Sequence, residues 1–212
     1  MGDEGMTTPD APKVEGTVHL VRHGHVENPG NVIYGRLPGF VLSATGRDQA
    51  AAAAERLSER PLDEVWSSPL ERAQETAATI ATPHGLEVVT DERLVESGTT
   101  LEGVGRRAVA FATSPQKWWS LRNPLRPSWG ESFVEISARM TEVIFEVLEA
   151  SPGAEVAFVS HQTPVLVARL ALARRRVPPW LAFTPCETGS ITTLGLIDGE
   201  IVRASYFVPP KS

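Results

Sequence analysis

Two histidines stand where an α/β chain could do chemistry with them. His23 follows the apolar run TVHLVR (17–22) and precedes a glycine, and His161 follows EVAFVS (155–160). Both runs read as strands, and in open α/β sheets ligands bind beyond the carboxyl ends of the strands, at the loops that lead into helices. If the two strands are neighbours and parallel, both rings reach one mouth. Arg22 adjoins His23, and Arg72 falls in the first turn of the helical stretch after EVWSS (64–68), so two guanidinium groups can face the same place. Such a set suits an anion with several oxygens, and phosphate matches the planar guanidinium fork best.

Blander readings compete for these residues. A lone histidine is as often a satisfied core or surface residue, which is the reading adopted for His19 and His84. His23, His25 and Glu27 could form a metal cluster, but Gly24 and Pro29 argue for a turn, and no third ligand follows at catalytic zinc spacing.

The elements that must position these side chains are legible from pattern. Apolar β-rich runs alternate with helical stretches, the signature of an α/β fold. We expect a three-layer sandwich with a mostly parallel central sheet, an antiparallel edge element and helices on both faces. The strands fall at 17–22, 64–68, 86–90, 155–160, 191–197 and 202–208, and Asp198-Gly199 predicts a hairpin between the last two. Ser43 caps an alanine-rich helix over 44–60. Ser68-Pro69-Leu70-Glu71 reads as a capping box that starts a helix running to Ala81, and 131–150 carries apolar residues at helical spacing. The stretch 114–130, with Trp118, Trp119, Trp129, Arg122 and Arg126, has no clean period and is read as a surface excursion that either packs on itself or closes over the site.

Composition bounds the function. The chain has 212 residues, 42% hydrophobic and 22% charged, enough apolar material for one domain over 17–212 behind a disordered leader, 1–16. A formal charge of −6 offers no electrostatic footprint for nucleic acid or an anionic membrane. The arginine run 174–176 reads as the cationic end of a helix. No apolar stretch is long enough to span a bilayer, and the leader lacks a secretory pattern. The single cysteine, Cys186, rules out an intrachain disulfide framework and a zinc-thiolate site, and with them points to a reducing, cytoplasmic setting.

Taken in order, LVRHG (20–24), GRLPGFVLSATGRDQA (35–50), SSPLERAQETA (67–77), RLVESGTTLEG (93–103), GES (130–132) and VSHQTPV (159–165) resemble the histidine phosphatase superfamily, in its phosphoglycerate mutase-like branch. The resemblance implies that His23 is a nucleophile forming a phosphohistidine and that Arg22, Arg72 and His161 hold the phosphoryl oxygens. Glu96 matches the family's acid/base position. The usual phosphate-binding asparagine register falls on Pro29, so Asn28 is assigned that contact, with Asn31 as the alternative. Arg36 and Gln162 are assigned to substrate. The resemblance implies no cofactor and no metal. The partner is then a small phosphorylated substrate, with a homodimer left open. The expected activity is metal-independent phosphomonoester hydrolysis. A cofactor-dependent phosphoglycerate mutase and a non-catalytic phospholigand-binding module are the alternatives.

Overall fold

A computed structural model describes residues 14–105, 130–178, 181 and 184–210. The leader up to residue 13 and nearly all of the 114–130 excursion lie outside the described residues. Residues 14–16, assigned to the leader, belong to the fold: Val14 packs against the core, its carbonyl accepts from Gly199 N, and Gly16 opens the first strand.

Among the described residues six strands form one sheet: β1 (Gly16–Arg22), β2 (Glu64–Ser67), β3 (Val88–Thr90), β4 (Glu155–Ser160), β5 (Ile191–Ile197) and β6 (Glu200–Phe207). Their order is β3-β2-β4-β1-β5-β6. The first four run parallel, while β5 is antiparallel to β1 and β6 to β5. Strand β4 is buried along its whole length, as a central strand covered on both faces must be. The β5–β6 hairpin turns through Asp198 and Gly199, both at positive φ (51° and 72°), which a two-residue primed turn requires.

Among the described residues four helices cover the sheet: α1 (Ala44–Ser58), α2 (Glu71–Ala81), α3 (Phe133–Ala150) and α4 (Gln162–Leu172). Alternation along β1 divides the core between them. Val18 and Leu20 point to α3 and α4, meeting Ile136, Met140 and Leu166. Val21 points to α1 and α2, meeting Ala53, Ala77 and Ile80. This is the three-layer α/β sandwich expected from the sequence. Small alanine side chains on α1 and α2 let those helices lie close to the sheet.

Most boundaries shift by a residue or two, as helix and strand ends do. One difference is chemical. The capping box at 68–71 does not form: Leu70 is the N-cap of α2 and makes no side-chain cap. The capping box that does form belongs to α3, where Ser132 and Glu135 exchange hydrogen bonds. Ser43 caps α1 through Gly46 N, as expected.

Candidate active site

Register alone brings the two histidines together. Arg22 pairs with Ser160 at the carboxyl ends of β1 and β4, so the next residue of each strand, His23 and His161, opens onto the same mouth. Their ring centroids lie 5.0 Å apart. The backbone at His23 is locked from both sides: His23 N donates to Ser160 O (3.0 Å), and Gly189 N donates to the Arg22 and His23 carbonyls. Gly24 then crosses α1 backbone against backbone. A Cβ there would sit 2.3 Å from the Gly46 carbonyl oxygen, and one on Gly46 would sit 1.9 Å from that of His25. No side chain fits at either position.

His23 is buried, and its Nδ1–H donates to the Gly24 carbonyl at 2.7 Å, because a carbonyl can only accept. Nε2 therefore carries the lone pair. Burial, then the charges of Arg72 and Arg22, hold the ring well below histidine's ordinary pKa. Arg72, on the first turn of α2, is fully buried; its Nη2 donates to Gly35 O at 2.6 Å and its guanidinium lies 4.8 Å from the centre of the Tyr34 ring. Arg22 reaches the Cys186 carbonyl through Nη1. Arg22 Nε, Arg72 Nε and Nη1, and His161 Nδ1 are all buried with no partner among the described residues. An unsatisfied buried donor costs about 1–3 kcal/mol, more when charged, a cost that an anion bound among these groups would offset.

Glu96 follows the short 3-10 turn Glu92–Leu94, capped by Asp91. Its carboxylate accepts from Ser97 N at 2.8 Å and lies near enough to Arg72 and Arg22 to feel both charges. Burial nevertheless prevails and raises its pKa. The loop is pinned from three directions: Ser160 Oγ donates to Leu94 O (2.6 Å), Arg139 to Arg93 O, and Arg36 Nε to Glu96 O (2.7 Å).

The structure thus gathers His23, Arg22, Arg72, His161 and Glu96. Two further assigned residues, Asn28 and Arg36, make their observed contacts with protein groups. Asn28 gives both ends of its amide to Val32, donating to the carbonyl and accepting from the N–H, which closes a local loop. Its alternative, Asn31, is exposed at positive φ. Arg36 binds protein: besides Glu96 O it meets Glu131 at 2.9 Å, and its backbone N–H donates to Glu102. Gln162 is the first residue of α4 and half-buried. His25 turns away to Ser43 Oγ (2.9 Å), and among the described residues no three His, Cys, Asp or Glu side chains gather as metal ligands. His19 is a satisfied core residue between Thr193 and Glu155. Sequence reasoning missed Tyr34, Ser68 and Ser160 as neighbours of the site. Only their places at the ends of predicted strands or just before the glycine of GRLPG could have pointed to them.

The profile of the histidine phosphatase superfamily (branch 1) matches residues 18–207. An uncharacterized protein of Mycobacterium tuberculosis is 49% identical over 92% of this chain and 97% of its own length. Phosphoserine phosphatase 1 of Hydrogenobacter thermophilus is 30% identical over 84% of this chain and 86% of its own. Among solved structures, a mycobacterial glucosyl-3-phosphoglycerate phosphatase in complex with VO3 superposes with a TM-score of 0.75 at 31% identity, covering 92% of this chain and 99% of that one. The chain belongs to the histidine phosphatase superfamily.

Proposed function

We propose that this protein hydrolyses phosphomonoesters through a phosphohistidine on Nε2 of His23, with no metal ion. The observation that carries the reading is the free Nε2 of a buried, neutral histidine beside Arg72, Arg22 and His161, which hold buried nitrogens with no partner among the described residues. In the first step Nε2 attacks phosphorus and the ester P–O bond breaks. The protonated Glu96 carboxyl gives its proton to the departing alkoxide. Arg22, Arg72 and His161 take the charge that builds on the phosphoryl oxygens. In the second step the Glu96 carboxylate removes a proton from water, the water oxygen bonds to phosphorus, and the N–P bond breaks to restore neutral His23.

Relatives named as phosphatases support hydrolysis over mutase chemistry. Phosphoserine and glucosyl-3-phosphoglycerate both carry a carboxylate beside the phosphoester, so small phosphorylated acids are the first substrate class to test. The single, buried Cys186 supports a cytoplasmic location, and among the described residues no helix is long and apolar enough to cross a membrane.

His23→Ala should lose turnover by several orders of magnitude, since the other site histidine, His161, has its Nε2 engaged by Ser68. Wild-type enzyme quenched during turnover of a labelled ester should carry an acid-labile phosphate on His23, and EDTA should leave the rate unchanged. Loss of activity in EDTA with recovery on adding zinc or magnesium would defeat the proposal. Phosphoryl return to a second phosphoglycerate, dependent on a bisphosphoglycerate primer, would replace hydrolysis with the mutase reaction.

A further inference from the structure

Ser68 has the sequence context of a helix cap and does another task. It is fully buried, and its backbone is committed on both sides: its N–H donates to Val159 O (3.0 Å), and its carbonyl accepts from Gln74 Nε2 (2.7 Å). The side chain is therefore held in one place. Its Oγ lies 3.3 Å from Leu70 N and 2.8 Å from Nε2 of His161. We infer that Ser68 is a positioning residue that fixes His161 in the tautomer with its proton on Nδ1, turning that N–H toward the phosphoryl oxygens.

The assignment follows from counting protons. A hydroxyl has one proton to give and two lone pairs to offer. Leu70 N–H can only donate, so it occupies one lone pair of Ser68 Oγ. The contact with His161 allows two readings. If Nε2 held the proton, Ser68 would accept twice, and its own buried proton would have no acceptor among the described residues. Nδ1, buried with no partner among the described residues, would then present a lone pair in the field of Arg72 and Arg22, whose charges both reach this ring. A lone pair there repels the anion those arginines attract. In the opposite tautomer Ser68 and Nε2 are both satisfied: Ser68 O–H donates to Nε2, Leu70 N–H donates to Ser68, and only Nδ1–H is left, as a donor for an anion. The doubly protonated ring is disfavoured by burial, by His23 and by both arginines, which together hold His161 well below histidine's ordinary pKa. A neutral histidine left without a directing partner in water favours the Nε2–H form, so the hydroxyl selects the less common tautomer. This is how partners of catalytic histidines act in general, through the nitrogen that faces away from the chemistry.

The consequence for turnover rests on the phosphatase reading, but the tautomer does not, and the two are tested by different signals. In ¹⁵N-labelled, full-length enzyme the ring nitrogens of His161 are assigned by their loss in His161→Gln. The wild type should show a protonated Nδ1 and an unprotonated Nε2. Ser68→Ala should shift His161 toward the Nε2–H form and lower kcat/KM roughly tenfold to a hundredfold, the usual scale for outer partners of site histidines. Ser68→Thr, which keeps the hydroxyl, should hold the wild-type spectrum. Should the threonine not fit the buried site, the alanine spectrum decides alone. An Nε2–H signal in the wild type would overturn the inference. So would an alanine variant that loses melting temperature but keeps tautomer and rate, since Ser68 would then only brace the start of α2. Absence of phosphate on His23 would remove the catalytic reading and leave the tautomer result standing.

Discussion

The same burial pushes His23 and Glu96 in opposite directions. A histidine at its ordinary 6.5 is a neutral nucleophile only above that pH, and a glutamate at its ordinary 4.5 is an acid only below it, so the two required forms would scarcely coexist. Here the histidine is lowered and the carboxyl raised, which moves the two ranges toward each other. Formation of the phosphohistidine, read as kcat/KM, should therefore have an alkaline limb, set by Glu96 losing its proton, that lies above the ordinary glutamate range. Glu96→Gln should lower kcat/KM for alkyl phosphates by roughly 10²–10⁴, the range for a lost general acid. It should spare nitrophenyl phosphate, whose leaving group departs without a proton. Equal losses on both esters would remove Glu96 from that role, and Glu102, which holds Arg36 N, would be the next carboxylate to test.

At the scale of elements, the site is three segments tied by one side chain. Arg36 links its own loop to the Glu96 carbonyl and to Glu131 just before α3, and Arg139 on α3 grips Glu131 in turn at 2.7 Å. A residue used this way should govern how Glu96 is aimed more than how substrate binds. Arg36→Ala should lower kcat with little change in KM, whereas a dominant rise in KM would return Arg36 to the substrate-binding role its motif implies. The strands, the hairpin and the two histidines were legible because periodicity and turn chemistry are local, and parallel register did the rest. Ser68 was not. The pattern Ser-Pro-Leu-Glu specifies a cap locally, and a distant ring, His161, supplies a competing partner that only the folded sheet brings near. Glu96 was legible only through family resemblance, because an ordinary loop carboxylate becomes an acid by burial. The amide of Asn28 is held by its own loop's backbone at Val32, a contact that the motif register does not show.

Across the whole molecule, three of the five histidines are buried with lowered pKa values: His19 between Thr193 and Glu155, and His23 and His161 in the site. In the unfolded chain each returns to about 6.5 and binds a proton that the folded protein resists. A lowered folded pKa contributes stability that is full above the unfolded value and is lost as pH falls through the folded one. Asp91 and Glu155, lowered by their partners despite partial burial, lose their contribution in the same direction at more acid pH. Glu96 alone among these opposes them, since a raised carboxyl favours the folded state as pH falls. Three groups against one set the sign between 6.5 and 4.5. The melting temperature, measured without phosphate in the buffer, should hold steady from pH 8 to about 6.5 and then fall as the pH approaches 5. Orthophosphate at neutral pH should raise it by binding the folded state alone. A melting temperature that is flat or rises from pH 6.5 to 5 would mean that these histidines are protonated in the folded protein, and the neutral Nε2 on which attack by His23 depends would go with them.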